Sequence, residues 1–373
     1  MESGSSLHFA AALICKLFDD ARSEICFNRA PVVGIAILPG VGLGEYPKLL
    51  DDEAKEIPDS FARRFAGTLR LRAFASSAAC LTPSPLTVIE QKHEPDPKPA
   101  TLICREQEVQ VQRNYKLKRI TIDTETNQGN PGEAIVLDYY QCKKEPSPVI
   151  LLLPVSGGNY EIEHHFARYL AKHGLAVVLA YRPTNAAPEL SDLGAINTWL
   201  EQSVSRGKRA LDWIEDRPEL DPDRVGVFGI SMGAIQGVLL TAADPRIRAE
   251  VFGLVGGDLP YILCHSAEPG ITRRRKSFLQ KHNLTEPQLH DELKKTITCE
   301  PNTAAARIDP QDALVVLGAF DRVVPFKKGL ELRRQMGRPE TIILPTGHYS
   351  ALVCIPYLKH QTLKFFQTRF SDE

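Results

Sequence analysis

The 373-residue chain has almost no imbalance of charge, with 45 Lys and Arg against 46 Asp and Glu and a net charge of −1. Binding to nucleic acid or to an anionic membrane surface rests on clustered positive charge, so this balance gives neither an electrostatic basis. Long apolar runs are missing as well; none approaches the ~20 residues that a membrane-spanning helix needs. Cysteine motifs are absent. The eight cysteines (15, 26, 80, 104, 142, 264, 299 and 354) are scattered, with no C-x-x-C and no metal-ligand spacing. In a chain of this length they read as reduced thiols rather than a disulfide framework, which points to a reducing, cytoplasmic setting. What is left is an ordinary soluble composition, 43% hydrophobic and 24% charged. The length suits two domains or one large α/β domain with additions.

Residues 1–104 lack the regularity of the rest. Leu7 to Phe18 is apolar, but Glu2 precedes it and Lys16 interrupts it, so it makes a poor signal peptide. Pro31 to Leu43 is apolar and rich in Gly and Pro without a period. Arg63 to Cys80 places arginines before a run of small residues, a pattern shared with processing and transit segments. Pro83 to Pro99 is polar and proline-rich and reads as a linker. The preferred reading of 1–104 is a poorly defined extension ending in that linker, with export or processing as the alternative.

From residue 105 the pattern becomes regular. Val109 to Gln112, Lys116 to Thr124 and Glu133 to Cys142 read as strands, the first two alternating apolar and polar as a half-solvated strand does. Continuous apolar runs follow at Val149 to Leu153, Ala176 to Tyr181, Val225 to Ile230, Val251 to Val255, Ala313 to Leu317 and Thr341 to Leu344; strands covered on both faces look like this. Helix-length segments lie between most of them, at Glu161 to Lys172, Asp192 to Asp216, Gly233 to Ala242 and Phe326 to Met336, and Pro356 to Phe370 closes the chain. Alternation of β and α units predicts a mostly parallel, eight-stranded sheet with helices on both faces, spanning 105–373. An insertion at 259–307 carries two helical stretches, Thr272 to His282 and Thr285 to Lys295. Its basic run Arg273-Arg274-Arg275-Lys276 reads first as a solvated helix face, and second as part of a lid near an anionic group.

The stretch Arg224 to Leu240 organises the rest. The apolar run Val225 to Ile230 leads into Gly229-Ile230-Ser231-Met232-Gly233, and a helical segment follows. G-x-S-x-G between a strand and a helix places a serine on a sharp, strained turn, with flanking glycines clearing space and a helix N-terminus favouring negative charge. A serine nucleophile needs a base, and the base an orienting acid. In this arrangement both follow in the order acid then histidine, each in a loop after a strand. His348 lies in such a loop, Pro345-Thr346-Gly347-His348-Tyr349, after the last strand. Asp321 leaves the strand Ala313 to Leu317 just before a helix. Asp258, in Gly256-Gly257-Asp258 at the mouth of the insertion, is the rival acid, one strand further from the histidine. An oxyanion hole needs two amides. Met232 N–H is one candidate, and the loop Pro154 to Tyr160 supplies the other, from Ser156 or Gly157.

Residues 115–370 resemble the α/β-hydrolase superfamily, most closely the dienelactone hydrolase and prolyl-oligopeptidase-like serine esterases. The resemblance rests on Ala210-Leu211-Asp212-Trp213, on Leu220 through Gly233, on Asp321-Arg322-Val323-Val324-Pro325 and on Gly347-His348. It implies an α/β-hydrolase fold and cleavage of small carboxylic esters by Ser231, His348 and Asp321, with no cofactor or metal. There are two departures. Dienelactone hydrolases proper use a cysteine nucleophile, and the His-Gly common before the oxyanion loop is here Pro154-Val155. A thioesterase or acyltransferase with the same three residues is the nearest alternative, and a non-catalytic binding protein on the same fold the alternative from another class.

Overall fold

The apolar runs assemble into one sheet. In the computed structural model, which describes residues 104–123, 132–183 and 193–371, nine strands pair in the order β1-β2-β3-β5-β4-β6-β7-β8-β9. They are β1 (Cys104–Val111), β2 (Tyr115–Ile122), β3 (Ile135–Cys142), β4 (Ser147–Leu153), β5 (Ala176–Ala180), β6 (Leu220–Ile230), β7 (Ile247–Gly253), β8 (Ala313–Gly318) and β9 (Glu340–Leu344). β1, β2 and β3 form an antiparallel meander that joins β5 antiparallel, and every pairing from β5 through β9 is parallel. β4 and β8 are buried at all positions, as the apolar runs Val149 to Leu153 and Ala313 to Leu317 require. The sheet has one strand more than the expected eight, and all nine segments read as strands lie on or beside one of its strands. β1 overlaps Val109 to Gln112 but begins five residues earlier; it is exposed at every position, and its polar residues suit a sheet edge open to water.

Helices cover both faces. Adjacent tyrosines of β3 point oppositely, as strand geometry dictates. Tyr139 meets Trp213 of α2 (Leu193–Glu215) edge-on at 5.2 Å, while Tyr140 meets His164 of α1 (Glu161–Lys172). Phe166 and Leu170, one helical turn apart in α1, are both buried, with the Phe166 ring 4.8 Å from that of Phe228 in β6. α3 (Met232–Thr241) follows β6, α8 (Phe326–Gln335) lies between β8 and β9, and α9 (Ile355–Arg369) closes the chain after a 3₁₀ turn at Ser350–Cys354. Because β5 and β6 lie on opposite sides of β4, the chain reverses direction across the sheet between β4 and β6. The crevice beyond the carboxyl ends of these two strands is where doubly wound sheets bind ligands.

The insertion contains four helices rather than two: α4 (Leu259–His265), α5 (Pro269–His282), α6 (Glu286–Thr296) and α7 (Pro301–Ala305). α4 and α7 are too short to show a period, yet each has an acidic N-cap and an early proline, Asp258 with Pro260 and Glu300 with Pro301. Ile262, Phe278, Leu289, Leu293 and Ile297 of the insertion join one buried cluster with Ile235 and Leu239 of α3. In the basic run, Arg273, Arg274 and Lys276 are exposed. Arg275 turns inward and donates to the carbonyls of Leu263 and Ser266 at 3.1 and 3.2 Å. Among the described residues no helix is long and apolar enough to cross a membrane. The expected extension and linker, with the segment 63–80, lie outside the described residues.

Candidate active site

Ser231 occupies the turn between β6 and α3 with φ 56° and ψ −118°, a backbone state that a non-glycine residue adopts only under constraint. The constraint is backbone packing. A Cβ at Gly229 would run into the Gly233 carbonyl, and a Cβ at Gly233 would run into the carbonyl of Leu153 in β4. The two glycines let the first turn of α3 close onto its own strand and onto the end of β4. The Ser231 amide donates to the Gly253 carbonyl at 2.8 Å, and its carbonyl accepts from Ile235 at 3.0 Å. Met232 opens α3, so its N–H has no acceptor within the helix.

His348 and Asp321 arrive from neighbouring strands. The loops after β8 and β9 are joined by backbone hydrogen bonds, Ala319 N–H to Leu344 O at 2.8 Å and Phe320 N–H to Thr346 O at 3.0 Å. That pairing brings Asp321 Oδ2 to 2.7 Å from His348 Nδ1, and His348 Nε2 lies 3.0 Å from Ser231 Oγ. Asp321 is buried, and its other oxygen accepts the amides of Val323 and Val324 at 2.8 and 2.9 Å. Acceptor-only on both sides, the carboxylate holds the Nδ1–H tautomer, which leaves Nε2 free to accept the serine hydroxyl.

Asp258 is engaged elsewhere. Its side chain caps α4 by accepting from Tyr261 N–H at 3.2 Å, and it pairs with Lys328 Nζ at 2.6 Å. Glu300 in turn accepts the amides of Asp258 and Leu259 at 2.6 and 3.0 Å. The rival acid is thus an anchor of the insertion. A nucleophilic cysteine finds no support among the buried thiols: desolvation pushes Cys142 up to about 12 and Cys264 up to about 11, far from the thiolate form.

The loop after β4, which holds Ser156 and Gly157, is solvent-exposed at 156–159 but tied at several points. Arg182, directly after β5, donates to the carbonyls of Val155 (2.7 Å), Gly157 (3.0 Å) and Gly158 (2.7 Å). Its guanidinium lies 4.1 Å from the Tyr160 ring centroid, and its own amide donates to Tyr160 Oη at 3.2 Å. From the other side, buried Glu163 accepts the Val155 amide at 2.8 Å. Burial raises the Glu163 carboxyl above its ordinary value of 4.5, with Val155 N–H and Arg182 working against the rise. Sequence reasoning singled out neither residue. The only signal for Arg182 was its place after an apolar strand, in Tyr181-Arg182-Pro183, where loops carry function in such sheets.

No family model and no curated relative matches the chain. Among solved structures, it is similar to the acetyl xylan esterase from Paenibacillus sp. R4, with a TM-score of 0.56 and 17% identity over 72% of this chain and 89% of that one. Acetyl xylan esterase 1 from Thermoanaerobacterium sp. JW/SL YS485 gives a TM-score of 0.52 and 19% identity over 73% and 89%. At these identities the likeness is one of fold. The chain has the α/β-hydrolase fold.

Proposed function

We propose that this protein is a serine hydrolase of carboxylic esters acting through an acyl-enzyme. The observation that carries the reading is the continuous hydrogen-bonded series from Asp321 through His348 to Ser231, at 2.7 and 3.0 Å, on a nucleophile turn with φ 56°. In the first half-reaction Ser231 Oγ attacks the acyl carbon while His348 Nε2 takes the hydroxyl proton. The amide of Met232, with that of Ser156 or Gly157, faces the negative charge that develops on the carbonyl oxygen. The tetrahedral species collapses, and the departing alcohol receives the proton from His348. A water deprotonated by His348 then attacks the acyl-enzyme and frees the acid and Ser231. Asp321 keeps the imidazole oriented and offsets its charge when protonated.

The test combines a panel of aryl and alkyl esters of increasing chain length with labelling by a fluorophosphonate probe, in wild type and Ser231→Ala. The expected outcome is labelling and turnover in wild type, and a loss of about a thousandfold or more in the variant with an unchanged melting temperature. Hydrolysis by Ser231→Ala at the wild-type rate would sink the mechanism. Faster turnover of acyl thioesters than of oxygen esters would move the reading to a thioesterase. The absence of both labelling and turnover would favour a binding protein on this fold.

A further inference from the structure

We infer that Arg182 is a positioning residue for the oxyanion hole, and that the donor it aims from the loop after β4 is the amide of Ser156; the inference rests on the ester-hydrolase reading above. An exposed stretch of Ser156, Gly157, Gly158 and Asn159 has little of its own to define one conformation, since two glycines widen its backbone freedom. Its order comes from outside. The guanidinium is a planar fork with five donors, and here it reaches three carbonyls of the same loop while its face lies against Tyr160. Gly158 at φ 83° supplies a left-handed turn between the Gly157 and Gly158 carbonyls, which both meet the guanidinium.

The consequence follows from peptide planarity. In a trans peptide the carbonyl of one residue and the N–H of the next point in opposite directions. With the Val155 carbonyl held on Arg182, the Ser156 amide is directed away from the guanidinium, and so are the amides of Gly158 and Asn159. The Ser156 carbonyl is not among the three that Arg182 holds, so the direction of the Gly157 amide is not set in this way. The choice left open by the sequence between Ser156 and Gly157 therefore falls to Ser156. Glu163 secures the preceding peptide by accepting the Val155 amide, so both polar groups of the Val155 backbone are tied by side chains. Just upstream, the contact of Gly233 with Leu153 seats the start of this loop against the first turn of α3, where the Met232 amide lies. Positive charge on Arg182 stays with the loop's carbonyls, and the substrate oxygen meets neutral amides.

The experiment compares Arg182→Ala and Arg182→Lys with wild type in hydrolysis of short p-nitrophenyl esters, together with affinity for an alkyl boronic acid, which forms a tetrahedral adduct on a serine. The expected result is a fall in kcat on the order of a hundredfold for Arg182→Ala, near the loss of one oxyanion donor, with KM within about threefold. Boronate affinity falls in parallel with kcat. Arg182→Lys falls by about tenfold, because a compact ammonium cannot bridge three carbonyls as a fork does. Added methylguanidinium restores part of kcat in Arg182→Ala, and methylammonium does not. A folded Arg182→Ala with kcat within threefold of wild type overturns the inference, and so does a loss confined to KM. Should Arg182→Ala fail to fold, Arg182→Lys decides on the same criteria. Wild type that neither turns over esters nor labels at Ser231 overturns the hydrolase reading itself, and this inference falls with it. Ser231→Ala inactive beside a fully active Arg182→Ala leaves the hydrolase reading standing and removes only the role of Arg182.

Discussion

The two sides of the candidate site are held by different means. On the acid side, the loops after β8 and β9 are joined through their own backbones, and Asp321 is fixed by the amides of Val323 and Val324. On the proposed oxyanion side, the loop after β4 makes its defining contacts with two side chains from elsewhere in the chain, Arg182 and Glu163. Backbone pairing between parallel neighbours depends little on residue identity. A loop held by one guanidinium and one carboxylate depends on both. The acid side should therefore tolerate change around it and fail only when Asp321 or His348 itself is altered. The oxyanion side should be weakened by substitutions that never touch substrate.

The sharpest way to break this comparison is at the acid. Asp321→Asn should lower kcat by about three to four orders of magnitude near neutral pH, because an amide favours the wrong imidazole tautomer. Asp258→Asn, measured in parallel, should leave kcat within a few fold and instead lower the melting temperature, since it leaves Lys328 with Glu331 as its only carboxylate and removes negative charge from the N-terminus of α4. The reverse ranking in matched kinetic assays would transfer the acid role to Asp258.

A smaller effect is expected at Glu163. Glu163→Ala leaves the part-buried Val155 amide without its acceptor, at a cost of about 1 kcal/mol, the net worth of a typical hydrogen bond. It should reduce kcat by about tenfold, with Glu163→Gln recovering most of the loss through its carbonyl oxygen. Equal damage by both substitutions in a kcat assay would show that charge rather than the tether matters there.

The smallest effect on turnover, and the control for the comparison, is expected at Glu250 in β7. This carboxyl is almost fully buried, and burial, with Asp312 and Asp309 nearby, raises it well above its ordinary value of 4.5; Arg369 opposes the rise. The folded chain therefore keeps a proton that the unfolded chain has released. That contribution to stability is complete below 4.5 and is lost as pH rises through the raised value. Glu250→Gln should leave kcat unchanged and raise the melting temperature at pH 7–8, with the difference from wild type shrinking toward pH 4. Thermal melts across that range check the sign; a variant less stable than wild type at pH 8 would refute it.

Much of the fold was legible because local signals and tertiary environment agree. The expected helix Glu161 to Lys172 is α1 to the residue, and each apolar run from Val149 onward became a strand of the parallel sheet. Where the sequence signal was short or polar, less could be read. α4 and α7 span seven and five residues, less than the length over which a helical period shows. Only the end of β1 showed the alternation of a strand, at Val109 to Gln112; its first five residues, Cys104 to Glu108, are mostly polar and exposed and carry no such pattern.

For the candidate site the division follows the range of the interactions. Ser231, Asp321 and His348 could be found along the chain because each stands in a loop after a strand, where Gly-rich turns and chain order leave a local trace. That Asp321 rather than Asp258 meets His348 was decided in three dimensions, by the pairing of the loops after β8 and β9 and by the salt bridge that commits Asp258 to Lys328. Arg182 left no trace of its own, because what distinguishes it from other arginines is three carbonyls 24 to 27 residues earlier in the chain. Periodicity and turn chemistry act over a few residues and are written into the sequence. Which distant side chain meets which loop is set only when parallel pairing lays β4 beside β5 and β6.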